Sequence, residues 1–167
     1  LILTRLLDKH GFGSINATKS LIKEIKAINP DIIHLHNLHG YYINIEILFN
    51  YLKKINKPIV WTLHDAWTFT GHCAHFERAG CYKWQNICHR CPLTKSYPSS
   101  FGIDNSKNNH RKKSQLFTGL NNVYIVTPSN WLNKQVKQSF LNDYHLITIH
   151  NGVDQNIFKP IHQYQNV

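Results

Sequence analysis

Four short apolar runs separated by stretches of helical periodicity set the tightest limit on what this chain can fold into. The runs are Asp31-Ile32-Ile33-His34-Leu35-His36, Ile59-Val60-Trp61-Thr62-Leu63, Val123-Tyr124-Ile125-Val126 and Leu146-Ile147-Thr148-Ile149. Each has the length of a buried strand. Between and before them, apolar positions recur at helical spacing. Ile15, Thr18, Leu21, Ile22, Ile25 and Ile28 share one face, with Lys19, Lys23, Glu24 and Lys26 on the other, so an amphipathic helix is predicted with Ser14 as its N-cap. Asn29-Pro30 ends it. Gly40 breaks the chain, and Ile43, Ile47, Leu48, Tyr51, Leu52 and Ile55 predict a second helix, with Lys53 and Lys54 suited to its C-terminal dipole. A third helix is predicted from Ser106 to Gly119, and a fourth is opened by Pro128-Ser129.

Strands alternating with helices imply right-handed crossovers and a Rossmann-like α/β fold, a parallel sheet with helices on both faces. At 167 residues the chain suits a single domain. Ligands of such sheets bind beyond the carboxyl ends of the strands. Here those ends are His34-Leu35-His36-Asn37, His64-Asp65, Thr127-Pro128-Ser129 and His150-Asn151-Gly152.

Polar groups at strand ends project into a common crevice, where a histidine can bond a sugar hydroxyl or stabilise a leaving phosphate. His64 and Asp65 are the candidate catalytic residues, and His36, Asn37, Ser129, Asn151 and Gly152 the candidate substrate-binding ones. A second reading takes His36, His64 and Asp65, with His34, as a catalytic metal site. Ser129 can receive an anion at a helix N-terminus or simply cap that helix. Lys107, Arg111, Lys112 and Lys113 form a basic helix face, able to meet a membrane surface or an anionic acceptor and more simply read as solvated. The net charge of +10 suits anionic partners without choosing among them.

Four cysteines, Cys73, Cys81, Cys88 and Cys91, fall in one local cluster within a long irregular stretch, about 66–100. Cys88-His89-Arg90-Cys91 has the two-residue gap that lets two thiolates grip one ion. A structural zinc would explain how so long a loop holds together, with disulfides or free thiols as the alternatives. His72, His75 or His89 can replace one cysteine. No run approaches the roughly 18 apolar residues of a membrane span. The sequence opens on Leu1 in an amphipathic stretch, unlike a signal peptide. A cytoplasmic location is expected, compatible with peripheral attachment at the inner face of the plasma membrane.

In this order, several segments carry a family resemblance: Pro30-Asp31-Ile32-Ile33-His34-Leu35-His36, Trp61-Thr62-Leu63-His64-Asp65-Ala66-Trp67 and Thr70-Gly71-His72-Cys73. Cys81-Tyr82-Lys83-Trp84, Cys88-His89-Arg90-Cys91-Pro92, Thr127-Pro128-Ser129-Asn130-Trp131 and Asn151-Gly152-Val153-Asp154 complete the set. The chain resembles the N-terminal, acceptor-side domain of family 4 retaining glycosyltransferases (GT-B fold), particularly those of capsular and exopolysaccharide synthesis. The resemblance implies transfer of a sugar from a nucleotide-sugar donor to a saccharide or lipid-linked acceptor. His64 matches the family histidine that approaches the reacting sugar, and Asp65 orients it. It also implies that residues 1–150 are the partial acceptor-side domain, and that 151–167, with Phe158 and Pro160, begin the linker to a missing donor domain. The family's first strand, its glycine-rich loop and its paired glutamates are not found in the sequence. The isolated chain is therefore expected to be an inactive fragment, because stabilising the leaving diphosphate needs those groups. No catalytic metal and no nucleic acid are expected. The alternatives are a basic zinc module binding nucleic acid through Trp67, Tyr82 and Trp84, and a metallohydrolase.

Overall fold

The computed structural model describes residues 2–159, so Pro160 and the rest of 160–167 lie outside the described residues. Helix α1 (Ile2–Leu6) and helix α2 (Ile15–Ile28) precede strand β1 (Ile33–Leu35); helix α3 (Ile45–Leu52) leads to β2 (Ile59–Thr62). After two short 3₁₀ turns, Phe76–Ala79 and Lys83–Gln85, come α4 (Ser106–Phe117), β3 (Val123–Thr127), α5 (Asn130–Lys137) and β4 (His145–Thr148). The four strands pair in parallel in the order β1-β2-β3-β4. This is the Rossmann-like parallel sheet that the alternation implies.

The two faces of the sheet are covered unequally. Ile33 and Leu35, Ile59 and Trp61, and Val123 and Ile125 align in register and are all buried. Phe49 of α3 and Phe117 of α4 cover them, their rings 5.1 Å and 5.0 Å from that of Trp61. Each such side chain contributes about 1.5–3 kcal/mol on leaving water. On the opposite face His34, Tyr124 and His145 are exposed. A consecutive strand order with crossovers of one hand puts the connecting helices on one face, rather than on both as the alternation leads one to expect, which accounts for this pattern.

Helix α2 runs over the predicted residues, but Ser14 does not cap it with its side chain. Its backbone is left-handed (φ 51°), and its hydroxyl donates to the Tyr41 carbonyl. The helix start is tied down one turn later. The Thr18 hydroxyl donates to the Ser14 carbonyl and accepts the Asn44 N–H at 2.6 Å. At the far end Asn29 takes the left-handed conformation (φ 49°), a role asparagine fills more readily than most residues. Helix α3 is shorter than its apolar run. Asn44 caps it, accepting the Ile47 N–H at 3.0 Å, and the buried stripe is Ile45, Leu48, Phe49 and Leu52.

The basic face expected on α4 is divided. Lys107, Arg111 and Lys112 are exposed, whereas Lys113 is fully buried. Its ammonium donates to the carbonyls of Trp67 at 2.7 Å and Thr70 at 3.1 Å, and stands 3.3 Å from the Trp67 ring centre. The reason lies in residues 66–85. Ala66, Trp67, Phe69, Phe76 and Trp84 of this stretch are core residues, yet its backbone is mostly outside any ladder. Buried carbonyls need donors. Helix α4 supplies them, His110 to the Trp84 carbonyl at 2.9 Å and Lys113 to two more.

Candidate functional site

The carboxyl ends of β1 and β2 lie side by side because the two strands pair in register, Leu35 opposite Trp61. His36 and His64, just beyond them, meet there. Nδ1 of His36 is 3.0 Å from Nε2 of His64, and the rings stack at 5.4 Å. Both are exposed. In the neutral pair one nitrogen donates and the other accepts, so each ring keeps a nitrogen free for a ligand. His34, one pleat back, places its ring 4.3 Å from that of His36 and its Nε2 2.9 Å from the Thr62 hydroxyl. Although it is in mid-strand, it is exposed on the uncovered face.

Asp65 turns to other partners. One oxygen accepts the Trp67 N–H at 2.9 Å, and the other is 2.8 Å from Nε2 of His39. Nδ1 of His39 is in turn 3.2 Å from the Tyr97 hydroxyl. Burial works to raise the Asp65 carboxyl, but the His39 hydrogen bond and charge, with the Trp67 N–H, outweigh it and hold it below the usual range. Asp65 is thus an ionised anchor for the turn that carries His64. His39 and Tyr97 were not among the sequence candidates. The first could have been found as the second histidine after β1. The second arrives from 58 residues away along an irregular segment and leaves no local signal.

The other candidates lie along the same edge of the sheet. Asn37 is exposed, and its carbonyl accepts the Tyr42 hydroxyl. The Ser129 hydroxyl accepts the Leu132 N–H at 3.2 Å, the capping arrangement, and is occupied in that bond. Asn151 and Gly152 are exposed beyond β4, where Nδ1 of His150 is 3.0 Å from the Pro128 carbonyl. A depression of ≈ 680 Å³ is at the opposite edge of the sheet beside Asn56, Asn122 and His145. Strand direction favours the carboxyl edge as the ligand edge.

All four cysteines are free, and all four line one cavity of ≈ 10 Å³, together with His72 and His89. That is about the room of a single small occupant. The backbone draws in close here. A Cβ on Gly71 would stand 2.2 Å from the Ser106 carbonyl oxygen, so only glycine fits. Its N–H donates to Sγ of Cys88 at 3.2 Å. Lys83 ties the Cys88–Cys91 turn through the carbonyls of His89 at 3.1 Å and Arg90 at 3.3 Å. Burial pushes the Cys88 thiol up to about 11, and a hydrogen bond between the Cys73 and Cys91 thiols lowers the first and raises the second. Among the described residues, the side chains whose ligand atoms gather in threes within 4.8 Å include no cysteine, and neither His36, His64 nor Asp65. The metallohydrolase arrangement is therefore not assembled. The cysteine sulfurs would have to close in to share an ion.

With this geometry in place, the chain can be set beside known proteins. The sequence profile of Glycosyltransferase Family 4 matches residues 2–156. A protein of Escherichia coli (strain K12), "Putative colanic acid biosynthesis glycosyl transferase WcaC", is 34% identical over 122 residues. The match covers 70% of this chain and 29% of the relative's length. No solved structure gives a significant match.

Proposed function

The chain belongs to glycosyltransferase family 4, and on that premise we propose that it forms the acceptor-facing half of a retaining transferase of surface polysaccharide synthesis. The sugar comes from a nucleotide-sugar and goes to a saccharide or lipid-linked acceptor. The E. coli relative's name, which points to colanic acid biosynthesis, supports the polysaccharide setting. The observation that carries the reading is the exposed His36–His64 pair at the carboxyl ends of two adjacent parallel strands.

In this reading His64 reaches the reacting sugar from the acceptor side. Its free nitrogen bonds a sugar hydroxyl or the oxygen on which charge develops as the diphosphate leaves. His36 fixes the His64 tautomer, and the Asp65–His39 bond holds the turn below it. Groups that grip the nucleotide come from a second domain facing this edge. A lipid-linked acceptor would bring the chain to the cytoplasmic membrane face, where exposed Lys107, Arg111 and Lys112 offer positive charge. No helix among the described residues is long and apolar enough to cross a membrane. The test is a transfer assay on the intact protein. Acceptor-dependent release of nucleoside diphosphate is expected, and no release from any common nucleotide-sugar overturns the reading.

For the cysteines we propose a structural zinc held by Cys73, Cys81, Cys88 and Cys91. Their shared small cavity, reduced state and the Gly71 N–H on Cys88 favour it. Binding would draw the sulfurs together and release their protons. Cys88→Ser is expected to lower zinc content and the unfolding midpoint together. Unchanged zinc stoichiometry refutes the assignment.

A further inference from the structure

We propose that Asp8, His10 and His72 form a buried site for a divalent transition-metal ion of the zinc type, separate from both the strand-end histidines and the four cysteines. The three side chains come from two distant parts of the chain and are each buried, at 0%, 2% and 2% exposure. Each offers a ligand atom, and these atoms lie within 4.8 Å of one another. Two imidazoles and a carboxylate are borderline donors that suit zinc and its neighbours better than magnesium or calcium.

The unpaired atoms point the same way. Among the described residues, both ring nitrogens of His10 and Nε2 of His72 are buried with no hydrogen-bond partner. Buried polar groups are nearly always paired, and a bound ion is one of the few ordinary explanations when they are not. Two imidazoles face one carboxylate: Nδ1 of His72 is 2.5 Å and Nε2 of His10 3.8 Å from the same Asp8 oxygen. The second Asp8 oxygen accepts the Asn105 N–H at 3.0 Å, and the Asp8 carbonyl accepts from Asn109 at 2.5 Å. The carboxylate is thereby fixed from α4 in the manner of an oriented ligand. Arg5 and Lys113 are the cations whose charge reaches His10, and Lys113 is turned toward the carbonyls of Trp67 and Thr70.

Metal uptake here would replace the hydrogen bond between His72 and Asp8. It would also pin the N-terminal segment around Asp8 and His10 to the Thr70-Gly71-His72-Cys73 stretch and to α4. That is a structural role, independent of transferase chemistry.

Cobalt(II) loading separates this site from a cysteine site, because thiolate ligands give an intense near-ultraviolet charge-transfer band and nitrogen–oxygen ligands give only weak visible bands. Cobalt(II) added to the reduced protein is expected to produce a nitrogen–oxygen component. His10→Ala should abolish that component and lower bound metal by about one equivalent per chain, leaving any thiolate band in place. Cys88→Ser should leave the nitrogen–oxygen component intact. A wild-type protein that shows no such component overturns the proposal, as does a His10→Ala variant that keeps the full metal count. Should His10→Ala fail to fold, the wild-type spectrum decides alone.

Discussion

Replacing Lys113 with alanine should lower the unfolding free energy by about 3–5 kcal/mol, the range of a large side chain removed from a packed core. The ammonium supplies the carbonyls of Trp67 and Thr70 and lies against the Trp67 ring, all inside the protein. Alanine leaves a cavity and two carbonyls without that donor, each costing about 1–3 kcal/mol if nothing replaces it. Removing a desolvated amine returns part of this loss. Lys113→Met restores most of the volume but not the donor, and should fall between wild type and alanine. Urea unfolding measures the series, and an alanine variant within about 0.5 kcal/mol of wild type would show that the carbonyls find other partners.

The same lysine predicts a pH dependence. Burial lowers its pKa from 10.5 to about 7 in the folded chain. Between those values the unfolded chain holds the proton and the folded chain has lost it, so unfolding takes up a proton and stability rises with pH. Below about 7 both states are charged and this contribution is flat. Buried Cys88, whose thiol is pushed up to about 11, acts in the opposite direction above the ordinary thiol range. The wild type is therefore best compared with Lys113→Met, against which its stability should increase from pH 7 to pH 9.

Lys113 also marks where sequence reading stops. On the helix it neighbours Lys112 and Arg111, and nothing local distinguishes the residue that is buried. What buries it is the stretch from Ala66 to Trp84, which reads as an irregular cysteine-rich loop and folds as part of the core. Periodicity was informative for the four strands, and for α2 it gave the span but not a buried face, since Ile15, Leu21 and Ile28 are exposed. It misplaced the stripe of α3, because Ile45 and Phe49 rather than Ile47 and Tyr51 face the sheet. His36 and His64 were legible because strand ends in a parallel sheet share an edge, whatever the crossovers contain. Their contact, and the Asp65–His39–Tyr97 chain, depend on loop paths that no local pattern encodes. Asp8 and His10 escaped for the same reason, since their partner His72 is 64 residues from Asp8.

His64→Ala should reduce kcat/KM of the intact transferase by about 10²–10³, the usual cost of losing one group that stabilises developing charge. The unfolding free energy should stay within about 0.5 kcal/mol of wild type, because the ring is exposed. His36→Ala should cost less, since its part is to hold the ring of His64 across the 3.0 Å contact. That division of labour makes the double variant informative. If His36 acts only through His64, removing both costs no more than removing His64 alone; independent contacts to the substrate would make the losses multiply. A His64→Ala enzyme with wild-type turnover would remove this edge from the chemistry. The strand-end pair would then be a surface feature of this domain, and the proposed function would lose the observation that carries it.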